Sequence, residues 1–529
     1  MRNRCRPLLY SVILLAGLCN TNWATSFTLT VNLSDSIRPV THVASGSLYG
    51  ITEGLPSDVA NMIAPLKPNV FTQPALSGTG RQQYVAAAAV PVSARIASTT
   101  GKVMVRLADI LPGWPYTWPG KSNWLSGVSS VITAKKASGR NNYYGYEIWN
   151  EPDGTWQSAS GDFYATWKAT YDLIRSQDPQ AKIVGPSYSC YNGTSMKTFL
   201  TYCKANNCLP DVISWHQWGS GWLSGNVDSY RALETSLGIS PRAISINEYS
   251  STTHDYEGSP GVSVPFIAKF ERKMVESACI SWWFTGLPGR LGSLLTSNNA
   301  KGGGWWLYKW YGDMTGKMVR VTPPDDNSEG VDGFASMDPS LNYASIVIGG
   351  NNIGTVSVNV SGIPALFGTS VNVKLEYVPW VNKDSAVTST SLISTTAYPI
   401  SKGSISVPVN VTNQFYAYRI YMTPTTPVVS SSSSISSSSI SSSSTLKSSS
   451  SIVALSSSKT VISSSSVTTQ TLLSLLQRET PASYEVFDMM GHVISRSTVM
   501  PIQVSTGCWI VQARRSDGST IASWTITQK

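Results

Sequence analysis

Between residues 46 and 318, short apolar runs alternate eight times with stretches whose apolar residues recur at helical spacing. A strand covered on both faces reads as a short, nearly continuous apolar run. The helix that covers it shows a single apolar stripe. The runs are Ser47–Ile51, Asn69–Thr72, Val103–Leu107, Tyr146–Trp149, Lys182–Gly185, Val212–Trp215, Ala243–Ile246 and Ile280–Phe284. Among the stripes are Phe163, Trp167, Tyr171 and Ile174, ending before Asp178-Pro179, and Ile267, Phe270 and Met274. Eight βα units in this length of chain predict an α/β fold, a (β/α)8 TIM barrel over residues 46–318. A doubly wound sheet is the alternative. It would not need eight strands, and the chain lacks the Gly-rich phosphate turn that goes with it.

A chain of 529 residues exceeds one barrel. After Met314 the pattern changes to alternating strands: Ala344–Ile348, Thr355–Val360, Val371–Tyr377, Ser404–Val407 and Phe415–Tyr421, with turns such as Gly350-Asn351-Asn352 between them. These predict an all-β sandwich over 319–425, joined by an N-terminal strand within 27–45 that begins FTLTVN. Residues 426–470 are Ser-dominated and too poor in apolar side chains to offset the entropy of ordering, so a flexible linker is expected there. A small β-rich module is expected over 471–529.

The first residues have the layout of a signal peptide, 1–26. Arg2, Arg4 and Arg6 precede the apolar run Leu8–Leu18, and small residues follow. Cys19 raises a lipoprotein reading, against which stands the large Leu18 before it. Removing three arginines and no acid takes the formal charge from +9 to +6. No basic stripe accompanies that excess, so nucleic acid is not an expected partner. No later apolar run is long enough to span a membrane. Export to a secreted or cell-surface location, as a monomer, follows from this reading, and an oxidising compartment favours a disulfide. Cys203–Cys208, closing CKANNC, is the first candidate, with Cys190 as a competing partner. Four histidines and no zinc-spaced Cys/His cluster argue for no metal and no cofactor.

In a barrel, polar residues just past the C-terminal strand ends form the site. The fourth strand ends in YEIWNEP, presenting Asn150 and Glu151; the seventh ends in ISINEY, presenting Glu248. Strands four and seven face each other across a barrel mouth. Two carboxylates so placed suit a glycosidic bond, where one protonates the leaving oxygen and the other attacks. About 5–5.5 Å separates such a pair in retaining enzymes, and more in inverting ones. That division predicts an ionised Glu248 and a Glu151 raised by its negative neighbour and nearby aromatics. Eighteen Trp and 24 Tyr supply flat faces for sugar rings as well as for an ordinary core.

WNEP at strand four and Asn-Glu at strand seven resemble clan A glycoside hydrolases, the retaining "four-seven" superfamily, and within it the chain is most similar to family 39. The resemblance covers about residues 27–423. It implies a barrel fused to a β-sandwich, with Glu151 as acid/base, Glu248 as nucleophile, and Asn150 as donor to the sugar 2-hydroxyl. It also implies a floor for the sugar from Trp283, closing strand eight; a core position is the other reading of that residue.

Further residues at the mouth carry two readings each. His216, in ISWHQW, orients the nucleophile or touches substrate, or is a structural histidine. Arg106 holds Glu248 ionised, or pairs with Asp109. Tyr49, Glu53 and Gln73 bind hydroxyls or pack. Trp156, with Trp114, Trp118 and Trp149, extends a sugar platform or belongs to the core. FDMMGHVI and TGCWIVQARRSDG in the last module resemble sorting domains of an outer-membrane secretion route, implying contact with secretion machinery or the cell envelope; a small carbohydrate-binding module is the alternative. The expected partner is a polysaccharide or oligosaccharide, hemicellulose such as xylan or a bacterial exopolysaccharide, cleaved at β-glycosidic bonds by double displacement. A non-catalytic polysaccharide-binding protein on a dead barrel, or a transglycosylase using the same carboxylates, remains open.

Overall fold

The computed structural model describes residues 26–425, except 77, 79, 80, 82, 84, 85 and 282–287, and the backbone of four strands between 483 and 528. The expected signal peptide and Ser-rich linker lie outside the described residues, apart from Ser26 at the end of the first. The chain divides into two units, 1–428 and 429–529.

Eight parallel strands close a barrel: β2 (Gly46–Leu48), β3 (Val70–Pro74), β4 (Lys102–Arg106), β5 (Tyr143–Glu147), β6 (Lys182–Tyr188), β7 (Val212–Trp218), β8 (Ala243–Ser250) and β9 (Ser277–Ile280). Each of the eight apolar runs overlaps or adjoins one of them. Most outer helices follow the amphipathic stripes. Helix α4 (Phe163–Gln177) starts where Asp162 caps the Tyr164 N–H, and it ends at Asp178. Its Trp167 ring packs against β6, where a Cβ on Gly185 would meet that ring at 2.4 Å. Met274 departs from the expected stripe. Helix α7 (Pro260–Arg272) stops short of it, and Met274 turns outward with φ 53° and 61% exposure.

Polarity inside the barrel changes along the strands. Toward their N-terminal ends, Val70, Met104, Tyr144, Val184, Val212 and Cys279 form an apolar plug. Steps of two along a strand stay on one face, so β7 runs from Val212 to Ser214 to His216, and β4 from Met104 to Arg106. Oil at the base and charge at the mouth are thus written into the alternation.

The β domain is one continuous sheet, and its nine strands stand in the order β15 (Ser391–Pro399), β14 (Ser370–Val378), β17 (Ala417–Pro424), β12 (Tyr343–Gly349), β11 (Asp332–Asp338), β10, β1, β13 and β16 (Ile405–Val411). Strand β1 (Ser26–Pro39) lies inside it, antiparallel to β10 (Lys317–Thr322) and parallel to β13 (Gly354–Ser361). Alternating residues such as Leu29, Val31, Val356, Val358 and Val360 feed a second apolar core. The last unit is a four-stranded antiparallel sheet formed by β18 (Ser483–Phe487), β19 (Val493–Ser497), β20 (Gly507–Arg514) and β21 (Thr520–Gln528).

Buried ions tie the β domain to the barrel. Arg38 of β1 donates from Nε to Glu271 of α7 at 2.7 Å and from Nη1 to the Val275 carbonyl at 2.8 Å. Tyr311 of α8 (Gly303–Gly312) donates to the other Glu271 oxygen. The Glu271 residue is only 1% exposed. Removing one partner of such a pair strands a charge in low dielectric and costs about 3–5 kcal/mol. Arg38→Met should therefore lower the unfolding free energy by roughly that amount, and Arg38→Met/Glu271→Gln should recover part of it. Denaturant titration of the three proteins checks this.

Candidate active site

Arg106 ends β4 at the centre of the mouth, 1% exposed. Its Nε and Nη2 donate to the two oxygens of Glu147, at 2.8 and 3.1 Å. Its Nη1 donates to Glu248 Oε1 at 2.7 Å and to the Tyr49 hydroxyl at 3.2 Å. A planar guanidinium with a fixed fork of donors can satisfy a bidentate carboxylate and a second one together. Of the two readings of Arg106, this is the contact with Glu248; its paired acid is Glu147, and Asp109 is bonded instead by Tyr49 and Tyr116, at 2.5 and 2.9 Å.

Glu147 ends β5, and three residues later Asn150 and Glu151 lead into the short helix α3 (Pro152–Thr155). Glu151 adopts φ 50°, a left-handed conformation, with its N–H bonded to the Ser187 carbonyl at 2.8 Å. Its side chain, 18% exposed, reaches His216 Nδ1 at 2.8 Å. The other nitrogen of the same ring lies 3.5 Å from Glu248 Oε1. The mouth therefore brings Glu151 and Glu248, from strands four and seven, against the two edges of one imidazole. His216 is fully buried, so it serves the two carboxylates within the protein.

The other candidates are placed as follows. Asn150 is 4% exposed, and its buried Oδ1 has no hydrogen-bond partner among the described residues. Tyr49 is buried, its hydroxyl engaged by Asp109 and Arg106. Trp156 donates to the Gly161 carbonyl and stands edge-on to Trp149 and Trp118, which joins it to an aromatic cluster that also holds Trp124, Tyr116 and Trp114. Gln73 is buried with both side-chain polar atoms unpartnered among the described residues. Trp283 lies outside the described residues. Cys203 and Cys208 require a correction: they are free thiols, not a disulfide. Both side chains are buried at the end of α5 (Gly193–Ala205), where the Cys208 N–H closes the turn on the Cys203 carbonyl at 2.9 Å. Cys190 is exposed and also free. Among the described residues no group of three or more His, Cys, Asp or Glu is arranged to hold a metal ion.

Two supports were not singled out from sequence. Glu147 holds Arg106, and Asn247 Nδ2 donates to Glu147 and, at 3.1 Å, to Ser187 Oγ. Both stand inside the very motifs that carry the glutamates.

The electrostatics also require a correction. Burial pushes Glu151 upward, but the hydrogen bond and charge of His216, joined by Arg106 and His254, outweigh it and hold the carboxyl below its ordinary value. Burial lifts Glu248 above its ordinary value, against His216 and Arg106 and with the Glu151 charge adding to the rise. This order is the reverse of that expected from the catalytic roles. Sequence could not supply the cause, an imidazole wedged between the two acids. Burial opposes charge on His216, yet Glu248 and Glu151 together lift it above 6.5.

The family model "Glycosyl hydrolases family 39" matches residues 131–240, which hold Glu147, Asn150, Glu151 and His216. The structure of N2152 from Neocallimastix frontalis is 49% identical, with a TM-score of 0.74, over 75% of this chain and 100% of that one. Residues 131–240 are thus similar to the glycosyl hydrolases of family 39. The GH39 enzyme from Xanthomonas axonopodis pv. citri shares the fold, with a TM-score of 0.56 at 12% identity over 77% of this chain and 99% of that one. A 3-O-α-D-galactosyl-α-L-arabinofuranosidase of Bifidobacterium longum subsp. longum is 29% identical over 52% of this chain. A 3-O-β-L-arabinopyranosyl-α-L-arabinofuranosidase of Bifidobacterium pseudocatenulatum is 25% identical over 72% of it. The chain spans 25% and 46% of the length of these two curated relatives.

Two pH effects follow. The His216–Glu151 pair holds one proton until pH passes the raised imidazole value. His216→Asn should leave that proton to a carboxyl alone and move the basic limb of kcat/KM to lower pH; a limb that stays in place excludes a shared proton. Asp109 is lifted by burial from 3.8 to about 6. A raised folded value means stability fully present below 3.8 and lost as pH rises to about 6, a loss on the order of 3 kcal/mol. Asp109→Asn should flatten the unfolding free energy across that window.

Proposed function

We propose that this chain is a retaining glycoside hydrolase acting on pentose-containing polysaccharide, at α-L-arabinofuranosyl or β-D-xylosyl units. The observation that carries the chemistry is the pair of carboxylates from strands four and seven set against one buried imidazole, His216. Glu248 is the nucleophile. Its oxygen attacks the anomeric carbon as the bond to the leaving oxygen breaks, and Arg106 holds the attacking carboxylate in line. Glu151 gives the leaving oxygen the one proton that it shares with His216 across the 2.8 Å contact. The glycosyl ester on Glu248 is then opened by water, whose proton returns to Glu151. Net configuration is retained by two inversions. The arabinofuranosyl assignment draws on the names of the two curated relatives. Export through the N-terminal segment, action outside the cell and envelope contact through the last module remain part of the proposal on the sequence grounds given above.

The test is turnover of aryl α-L-arabinofuranosides and β-D-xylosides, with the product anomer followed by NMR. Glu248→Ala should lose about 10³-fold or more in kcat on every substrate. Glu151→Ala should lose far less on a dinitrophenyl glycoside than on an alkyl one, because a good leaving group needs no proton. Inverted product, or a Glu248→Ala protein at wild-type rate, rules the mechanism out.

A further inference from the structure

The loop after β8, residues 251–259, is anchored more firmly than a connection requires. Tyr256 stacks on Phe415 of the β domain, with centroids 4.7 Å apart and planes at 26°, and Trp380 packs beside both rings. The Phe415 carbonyl accepts from the Gly261 N–H at 2.9 Å and from Ser259 Oγ at 3.3 Å. At the loop's centre sits Glu257, 2% exposed and outside the Arg106 network. It accepts from Ser281 Oγ, lies 3.5 Å from Ser293 Oγ, and binds His254 Nδ1 at 2.7 Å. His254 is itself in the left-handed region, φ 59°. A non-glycine residue there costs about 1 kcal/mol and persists only where its surroundings insist.

These contacts fix an imidazole at the acid/base side of the mouth. The His254 ring lies 4.7 Å from the Trp218 ring, and Trp218 stands edge-on to His216 at 5.8 Å. Trp218 Nε1 in turn donates to the Ser189 carbonyl at 2.8 Å, and Ser189 bonds Asp153, two residues past Glu151. A buried carboxylate that takes the Nδ1 proton sets the tautomer and orientation of a histidine and makes Nε2 the ring's acceptor. We propose that His254 binds a hydroxyl of the leaving sugar, on the Glu151 side of the scissile bond, and so selects among linkages. The hydrolase reading above is its premise.

The experiment compares kcat/KM for an arabino-oligosaccharide, which has a leaving sugar, with that for an aryl arabinofuranoside, which has none. In His254→Ala the ratio of the two should fall about tenfold, the worth of one hydrogen bond, chiefly through KM. His254→Gln should restore part of it. Glu257→Gln, which keeps the side-chain volume, should lower the ratio in the same direction and serves if His254→Ala fails to fold. Equal losses on both substrates, or an unchanged ratio in variants with the wild-type Tm, overturn the assignment of His254 alone. The same ratio is read on a xylo-oligosaccharide and an aryl xyloside, and a wild type that turns over none of the four substrates overturns the hydrolase reading and this one together.

Discussion

Two carboxylates at the barrel mouth, Glu147 and Glu248, are arranged around the Arg106 guanidinium. Brought out of water, it is tolerable only because Glu147 meets it with both oxygens and Glu248 with one. The cation in turn is what lets two carboxylates stand so close under burial. His216 adds a second, titratable positive edge between Glu248 and Glu151. The site is therefore a network of alternating charge, in which Glu248 and Glu151 are held in place by Arg106 and His216. Such preorganisation is where most catalytic stabilisation arises, because the dipoles need not turn as charge develops.

The barrel was legible because its strands are short apolar runs and its helices carry one apolar stripe, two periods that do not mimic each other. Glu151 and Glu248 were legible because each ends a strand within a motif of Asn-Glu. What escaped were properties that exist only between segments. The bidentate grip of Glu147 on Arg106 joins two neighbouring strands, and nothing near either residue announces it. The reversed protonation order came from His216, whose position between two acids no linear spacing displays. The thiols of Cys203 and Cys208 are near neighbours in chain and in space, so proximity was foreseen and the bond was not formed. The Tyr49 hydroxyl and the Trp156 indole N–H are spent on the protein's own groups.

The β domain takes part in the mouth as well as covering the barrel. Phe415 and Trp380 belong to it, and they clamp the loop that follows the Glu248 strand. Lys269 and Arg272 of α7 reach into the sheet at Ser328 and Asp332. Loops at a barrel mouth are ordinarily the mobile, variable part of the fold; here one of them is given a second floor to stand on.

Strand β1 has a kinetic consequence. Thr30 pairs with Thr322 on one side and Phe27 with Val356 on the other, partners that lie beyond the whole barrel in the chain. Contacts of such sequence separation are slow to form, since a very long loop must close first. The opening segment therefore has to wait, edges unpaired, until nearly all the rest of that unit has emerged. Completion of the sheet becomes a late checkpoint, passed only by chains whose central cylinder has already closed and brought the two ends together.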